Sequence, residues 1–343
     1  MNKPARLAVV GAGLIGQRHV AAIQASGLAV CTAIVEPHPK EQFSVPVFSS
    51  LEGLLALDRP DGLIIATPTP LHARHALTAI DAGLPVLVEK PLTDTLEDAM
   101  AVVAAADAAG VPVLVGHHRR HNPLIQAAVK ALKDGLVGDV RAVQATCWFY
   151  KPDHYFQEAP WRKQLGAGPV SVNLVHDIDL LRLFCGDVIL VQAQTRPSRR
   201  GYENEDLAAA ILQFDSGAIA TLTVSDAIAA PWSWEMTSGE NPIYPMTGQS
   251  CYLIGGSEGA LSLPDLRHWR HSGAPDWWTP MTSAILPHEP GDPLVRQIAH
   301  FAAVIHGKVQ PLVSARDGLR NIQVIDAIER SAISGTAIRL IPA

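Results

Sequence analysis

In the first third of the chain, short apolar runs alternate with amphipathic stretches. Residues 6–10 (RLAVV), 29–35 (AVCTAIV), 62–66 (GLIIA), 84–88 (LPVLV) and 111–115 (VPVLV) are short and almost wholly apolar. Such runs read as strands buried on both faces of a sheet. Helical stretches lie between them, one ending near Ser26, one over residues 71–82 closed by Gly83, and one over 95–109. Strand alternating with helix predicts a parallel, doubly wound sheet, whose ligands gather at the carboxyl ends of the strands. Residues 67–69, 89–91 and 116–121 then border one crevice.

The rhythm changes after Pro123. A helix over residues 124–133 leads into strand-like runs at 140–150, 188–195, 208–214, 218–225 and 251–254, with Asp215-Ser216-Gly217 as a hairpin turn. Helical spacing resumes from about Pro169 to Gly186, again over 293–305 and 315–331, and a last strand is expected within 337–341. The pattern predicts two domains, 1–122 and 123–343, with the C-terminal helices packing back toward the first.

Within the first domain, residues 11–16 (GAGLIG) stand between a strand and a helix, the context in which GxGxxG has meaning. Gly11 permits the tight turn, Gly13 lets backbone N–H groups approach a pyrophosphate, and Gly16 allows close helix packing. The helix N-terminus at Leu14 and Ile15 then faces the phosphates with the positive end of its dipole. The next strand ends in Glu36, a carboxylate suited to the adenosine ribose hydroxyls and repellent to a 2′-phosphate. NAD is therefore expected in preference to NADP, with His38 and Lys40 nearby as the reason to retain NADP as an alternative.

Length and composition agree with two domains and an ordinary core. The net charge of −6 argues against a nucleic-acid surface. No segment approaches the ~20 apolar residues of a membrane span. The four cysteines are far apart with no CxxC pair, which fits neither a zinc knuckle nor a disulfide framework and points to a reduced, cytoplasmic setting. His117, His118 and His121 lack carboxylate or cysteine partners at ligand spacing, so no metal is expected and the loop reads as crevice lining.

The run 86–92 (VLVEKPL) ends a buried strand in a charged pair and a proline. Burying lysine is costly without a partner or a task, which makes Lys90 a candidate site residue, against the plainer reading of a solvated loop. Together with GAGLIG, ATPTPLHARHALTAIDAGLPVLVEKPLT, GHHRRHNP and GAGPVSVNLVHDIDLLRLFCG, this run makes nearly the whole chain resemble the glucose–fructose oxidoreductase/inositol dehydrogenase/MocA (Gfo/Idh/MocA) family. The EKP element, spaced as it is after TPTxxxH, is far more specific than the glycines.

The resemblance implies a Rossmann domain joined to an α/β domain with an open, mostly antiparallel sheet, which often assembles dimers or tetramers. It implies an NAD(P)-dependent oxidoreductase of sugars, polyols or related compounds, with Lys90 in the catalytic constellation and the Lys90-Pro91 bond cis. Thr67, Pro68, Thr69, His72, Glu89, Lys90 and Arg119 are then expected on the cofactor side, Glu89 also as a neighbour that orients Lys90.

His176 falls on the family's catalytic histidine, in an apolar helical stretch where Asn173, Asp177 and Asp179 are also inserted and are expected as substrate contacts. Many family dehydrogenases carry an acid one turn earlier, where this chain has Val172; Asn173 beside it offers hydrogen bonds without the charge. Trp161 and Arg162 match a WR pair that relatives place near nicotinamide and substrate. The segment 229–252 contains Trp232 and Trp234 among carboxylate and amide groups, suited to stacking a sugar or equally to packing the sheet. Trp277 and Trp278 read as packing or interface residues. The expected chemistry is hydride transfer, with His176 taking the hydroxyl proton and Lys90 stabilising the alkoxide, or those roles exchanged. An NAD-assisted glycosidase and a non-enzymatic NAD-binding regulator of the same fold are the alternatives.

Overall fold

The computed structural model describes residues 3–40 and 42–341. The chain divides into two compact units, Met1–Asn122 with Gly291–Ile322 and Pro123–Pro290 with Gln323–Ala343.

The first unit holds six parallel strands: β1 (Ala5–Val10), β2 (Ala29–Val35), β3 (Val47–Phe48), β4 (Gly62–Ile65), β5 (Val86–Val88) and β6 (Val113–Val115). Their order is β3-β2-β1-β4-β5-β6, so the chain reverses direction across the sheet beside β1. Helices α1 (Leu14–Ser26), α2 (Leu51–Leu57), α3 (His72–Asp81) and α4 (Leu96–Ala109) connect them. The two-residue pitch of a strand sends alternate side chains to opposite faces, and both faces are covered. Ala8, Val10, Leu63, Ile65, Val86 and Val88 pack with Ala76, Ile80 and Val102 of α3 and α4. Leu7, Val9, Ile64 and Leu87 pack the other way, on Ile23 of α1 and on Ile298 and Phe301 of the helix Pro293–Ile305. Two buried faces explain why these strands carry no polar alternation. The short β3 and α2 had no expectation in the sequence.

The second unit is built on a nine-stranded sheet of order β14-β13-β12-β11-β7-β10-β9-β8-β15. Its strands are β7 (Val140–Trp148), β8 (Val188–Pro197), β9 (Glu205–Phe214), β10 (Ile219–Ser225), β11 (Tyr252–Gly256), β12 (Gly259–Leu263), β13 (Arg267–His271), β14 (Met281–Ile285) and β15 (Ile338–Arg339). Every pairing is antiparallel except β7 with β10. Helices α5 (Pro123–Lys133), α6 (Asp153–Glu158) and α7 (Val175–Cys185) belong to this unit. Ile125 and Ala128 of α5 and Ile178 and Leu181 of α7 join Val143, Ala145, Leu212 and Leu222 of the sheet in one core. The opposite face leaves Ile211, Ile219, Leu253 and Trp269 exposed.

Strands β12 to β14 went unforeseen because β13 reads RHWRH and lacks an apolar stripe. Trp277 and Trp278, expected to pack or to form an interface, are 96% and 89% exposed in this single chain. The helix Ala315–Ser334 runs from the first unit into the second.

Candidate active site

The glycine turn of the first unit is shaped by contacts a side chain would break. Gly11 has φ +95, donates its N–H to the Val35 carbonyl at 2.8 Å, and would put a Cβ 2.7 Å from the Ala66 oxygen. A Cβ on Gly16 would collide with the Gly11 carbonyl, whereas one on Gly13 would meet nothing within 4 Å. Helix α1 starts at Leu14 without a side-chain cap or an acidic residue in its first turn. Its leading N–H groups therefore remain donors for an anion. Beside them the Glu36 carboxylate accepts from the Ala12 N–H at 3.0 Å and from the His38 N–H at 3.1 Å. A carboxylate has lone pairs beyond these two bonds. Open donors next to a fixed carboxylate fit the phosphates and ribose hydroxyls of a dinucleotide.

The carboxyl ends of β4, β5 and β6 form the next layer. Glu89 donates its N–H to Ile65, and Gly116 donates to Val88, so the EKP turn continues the ladder. Lys90-Pro91 is cis. The Lys90 N–H donates to Glu89 Oε2 at 3.1 Å, while Glu89 Oε1 lies 2.7 Å from His19 Nε2 on α1. Burial alone would raise the Glu89 carboxyl. The hydrogen bond from His19 and the positive charges of His19, His118 and Lys90 outweigh it and hold the group at about 2. Glu89 is thus a buried tie behind Lys90, bonded to its backbone N–H. His72 is held by the loops on either side of it. It is 1% exposed, with ring nitrogens 2.9 Å from the carbonyl oxygens of Pro91 and Thr67, and it braces the loop of Thr67, Pro68 and Thr69 against the EKP turn. Arg119 is buried as well.

In the second unit the glycine-rich turn before α7 is locked by Glu205. Its Oε1 accepts the Val170 N–H at 3.0 Å, and a Cβ on Gly168 would strike its carboxylate. Residues Val170–Leu174 form a π-helical turn before α7 begins. A π-turn inserts one residue into the helical register and often marks a functional position. Here it carries Asn173, whose Oδ1 accepts from Lys151 Nζ at 2.7 Å. His176 follows three residues later, in the first turn of α7.

Lys151 is the residue that sequence reasoning missed. It lies just beyond β7, with Nζ 3.5 Å from Asp226 Oδ2 and 5.1 Å from the Tyr155 ring centroid. Burial pushes its ammonium below the usual lysine value, against the opposing pull of Asp226. Arg200 holds the other Asp226 oxygen at 3.2 Å. The only signal in the sequence was a lysine set among aromatics in FYKPDHYF.

The remaining expected substrate residues diverge. Asp177 and Asp179 are buried, and Asp177 accepts from the Tyr252 hydroxyl on the sheet. Trp161 is half exposed, and Arg162 stacks 3.8 Å from the Tyr155 ring centroid and donates to the Tyr155 carbonyl. Trp232 keeps an exposed edge and packs on Trp148. Trp234 is 2% exposed, packed against Tyr252, with its indole N–H on Glu240. That places Trp234 in the core of the second unit. Among the described residues, no three His, Cys, Asp or Glu side chains are grouped to hold a metal ion.

Residues 5–117 match the model of the oxidoreductase family with an NAD-binding Rossmann fold, and residues 125–262 match the GFO/IDH/MocA C-terminal domain. The chain belongs to the GFO/IDH/MocA family. It is an NAD(P)-dependent oxidoreductase acting on CH–OH groups. Similar proteins include a D-apiose dehydrogenase of Paraburkholderia graminis, 27% identical over 350 residues that span 97% of this chain and 89% of the relative. A 1,5-anhydro-D-fructose reductase of Ensifer adhaerens is 27% identical over 85% of this chain and 83% of its own. Among solved structures, the WlbA dehydrogenase from Bordetella pertussis in complex with NADH and UDP-GlcNAcA superposes with TM-score 0.78 at 27% identity, covering 99% of this chain and 100% of that one. No helix among the described residues is long and apolar enough to cross a membrane.

Proposed function

We propose that the protein transfers a hydride between nicotinamide and a sugar, polyol or related hydroxy or carbonyl compound, with His176 handling the proton and Lys90 stabilising the oxyanion, or those roles exchanged. The observation that carries this reading is the open glycine turn beside Glu36, a cradle that a dinucleotide fits, followed by a helix tied through His19 to Glu89 of the EKP turn. The bound nicotinamide supplies the hydride acceptor or donor. The chain's own residues supply the rest. An alcohol does not lose its proton unaided at neutral pH, so the imidazole of His176 accepts it and the Lys90 ammonium stabilises the oxyanion. In the reducing direction His176 returns the proton.

Glu36 favours NAD over NADP, because a 2′-phosphate would meet a carboxylate with no cation bonded to it among the described residues. Residues 1–122 with 291–322 act as the coenzyme domain, and 123–290 with 323–343 as the substrate domain. The exposed apolar side chains Ile211, Ile219 and Leu253 on the free sheet face support assembly into a dimer or tetramer through that face. The absence of a disulfide among the four cysteines is compatible with a cytoplasmic enzyme. The test is formation of NADH from NAD, or NADPH from NADP, over a panel of sugars, polyols and lactones. Turnover with at least one is the expected result. No turnover with any, together with cleavage of a glycoside, would replace this reading with the NAD-assisted glycosidase.

A further inference from the structure

The pairing of Lys151 with Asn173 fixes more than a side-chain position. An ammonium only donates, so the Asn173 atom 2.7 Å from Lys151 Nζ is the amide oxygen, and the amide cannot be flipped without facing two donors together. Its nitrogen must then point away from Lys151. Among the described residues Asn173 Nδ2 has no acceptor. Asp226, the carboxylate paired with Lys151, is occupied on both oxygens by Lys151 and Arg200. From residue 159 to His176 the chain has no acidic residue but contains Arg162 and Lys163. The turn before His176 therefore offers an N–H donor, strengthened by the ammonium on its oxygen, and no competing carboxylate of its own.

We propose that Asn173 is the specificity-determining donor for a substrate carboxylate, with Lys151 as the positioning residue that orients its amide, so that the preferred substrates are sugar acids. This rests on the reading of His176 as a proton-handling residue of the same turn. An anion replaces the solvent lost by the amide with a charge-assisted bond, whereas a neutral hydroxyl gains only a neutral one.

Two readouts separate this inference from the dehydrogenase reading. The first is calorimetric titration of the protein–NADH complex with matched pairs: D-gluconate against D-glucitol, D-galactonate against galactitol, and D-glucuronate against D-glucose. The second is NADH formation from the same compounds with NAD. At least one acid should bind about tenfold or more tighter than its neutral partner, the scale of one added hydrogen bond. Asn173→Asp, nearly isosteric but anionic, should reverse that ratio. Lys151→Met should collapse it, and Lys151→Arg, which can still donate to Oδ1, should keep most of it. NADH affinity and thermal midpoint, followed in each variant, report whether the fold survives. Acid-to-neutral ratios near one in the native protein, no binding by any of the acids, or a preference unaltered in both Asn173→Asp and Lys151→Met would overturn the assignment. Acid preference without NADH formation would sustain it while removing the dehydrogenase reading.

Discussion

His19 Nε2 and Glu89 Oε1 lie 2.7 Å apart, joining the first helix of the coenzyme cradle to the strand end that presents Lys90. The two residues are seventy positions apart in sequence. Through this one contact, the segment after the glycine turn and the EKP turn are held in register, because the other Glu89 oxygen accepts the Lys90 N–H.

The tie predicts an acid-dependent contribution to stability. The Glu89 carboxyl sits at about 2 when folded, below its ordinary 4.5. A depressed carboxyl stabilises the fold fully above the ordinary value and loses that contribution as pH falls toward the folded one. Glu89→Gln should cost about 1.5–3 kcal/mol at pH 7, the range for a charge-assisted hydrogen bond. The gap between variant and native protein should close between pH 4.5 and 2. Urea midpoints measured across that window check it; parallel curves would refute the tie.

The glycines should separate folding from coenzyme binding. Gly16→Ala drives a Cβ into the Gly11 carbonyl and should lower the thermal midpoint. Gly13→Ala meets nothing within 4 Å. It should keep stability within about 0.5 kcal/mol, as a substitution free of new contacts does. Its affinity for NADH should nonetheless fall about tenfold or more, some 1.4 kcal/mol, because the Cβ points where the pyrophosphate must approach. Thermal melts and NADH fluorescence titrations of both variants decide the matter.

Glu36 gives a third expectation. Glu36→Ser removes the acceptor for the ribose hydroxyls and the repulsion toward a 2′-phosphate together. The ratio of NAD to NADP affinity should drop about tenfold or more, since each change acts in the same direction. An unchanged ratio would move coenzyme choice to other residues.

Much of this was legible from local pattern. GAGLIG, Glu36 and VLVEKPL announce a parallel strand, a phosphate turn and a charged strand end through neighbours within a few residues. Contacts that cross the chain leave no such trace. The place of His72 in the TPTxxxH motif does not tell that its ring lies between the carbonyls of Thr67 and Pro91. Trp234 and Trp232 are two residues apart, and one is core while the other keeps an exposed edge. Residue type did not tell their direction. The π-turn at Val170–Leu174 depends on how Glu205, thirty-five residues away, grips Val170. Lys151 became visible only once Asn173 was placed beside it.

If Lys90 serves the chemistry rather than the fold or the coenzyme, its ammonium can be removed without loss of either. Lys90→Met keeps the backbone N–H that bonds Glu89 and removes only the ammonium. The most direct measurement is the steady-state rate of NADH formation by this variant on whichever substrate the native protein turns over, with NADH binding followed in parallel. The expected result is a loss of about a hundredfold or more in kcat, within the range for removing one oxyanion-stabilising donor, with NADH affinity and thermal midpoint retained. Native kcat in a Lys90→Met protein that still binds NADH would contradict it.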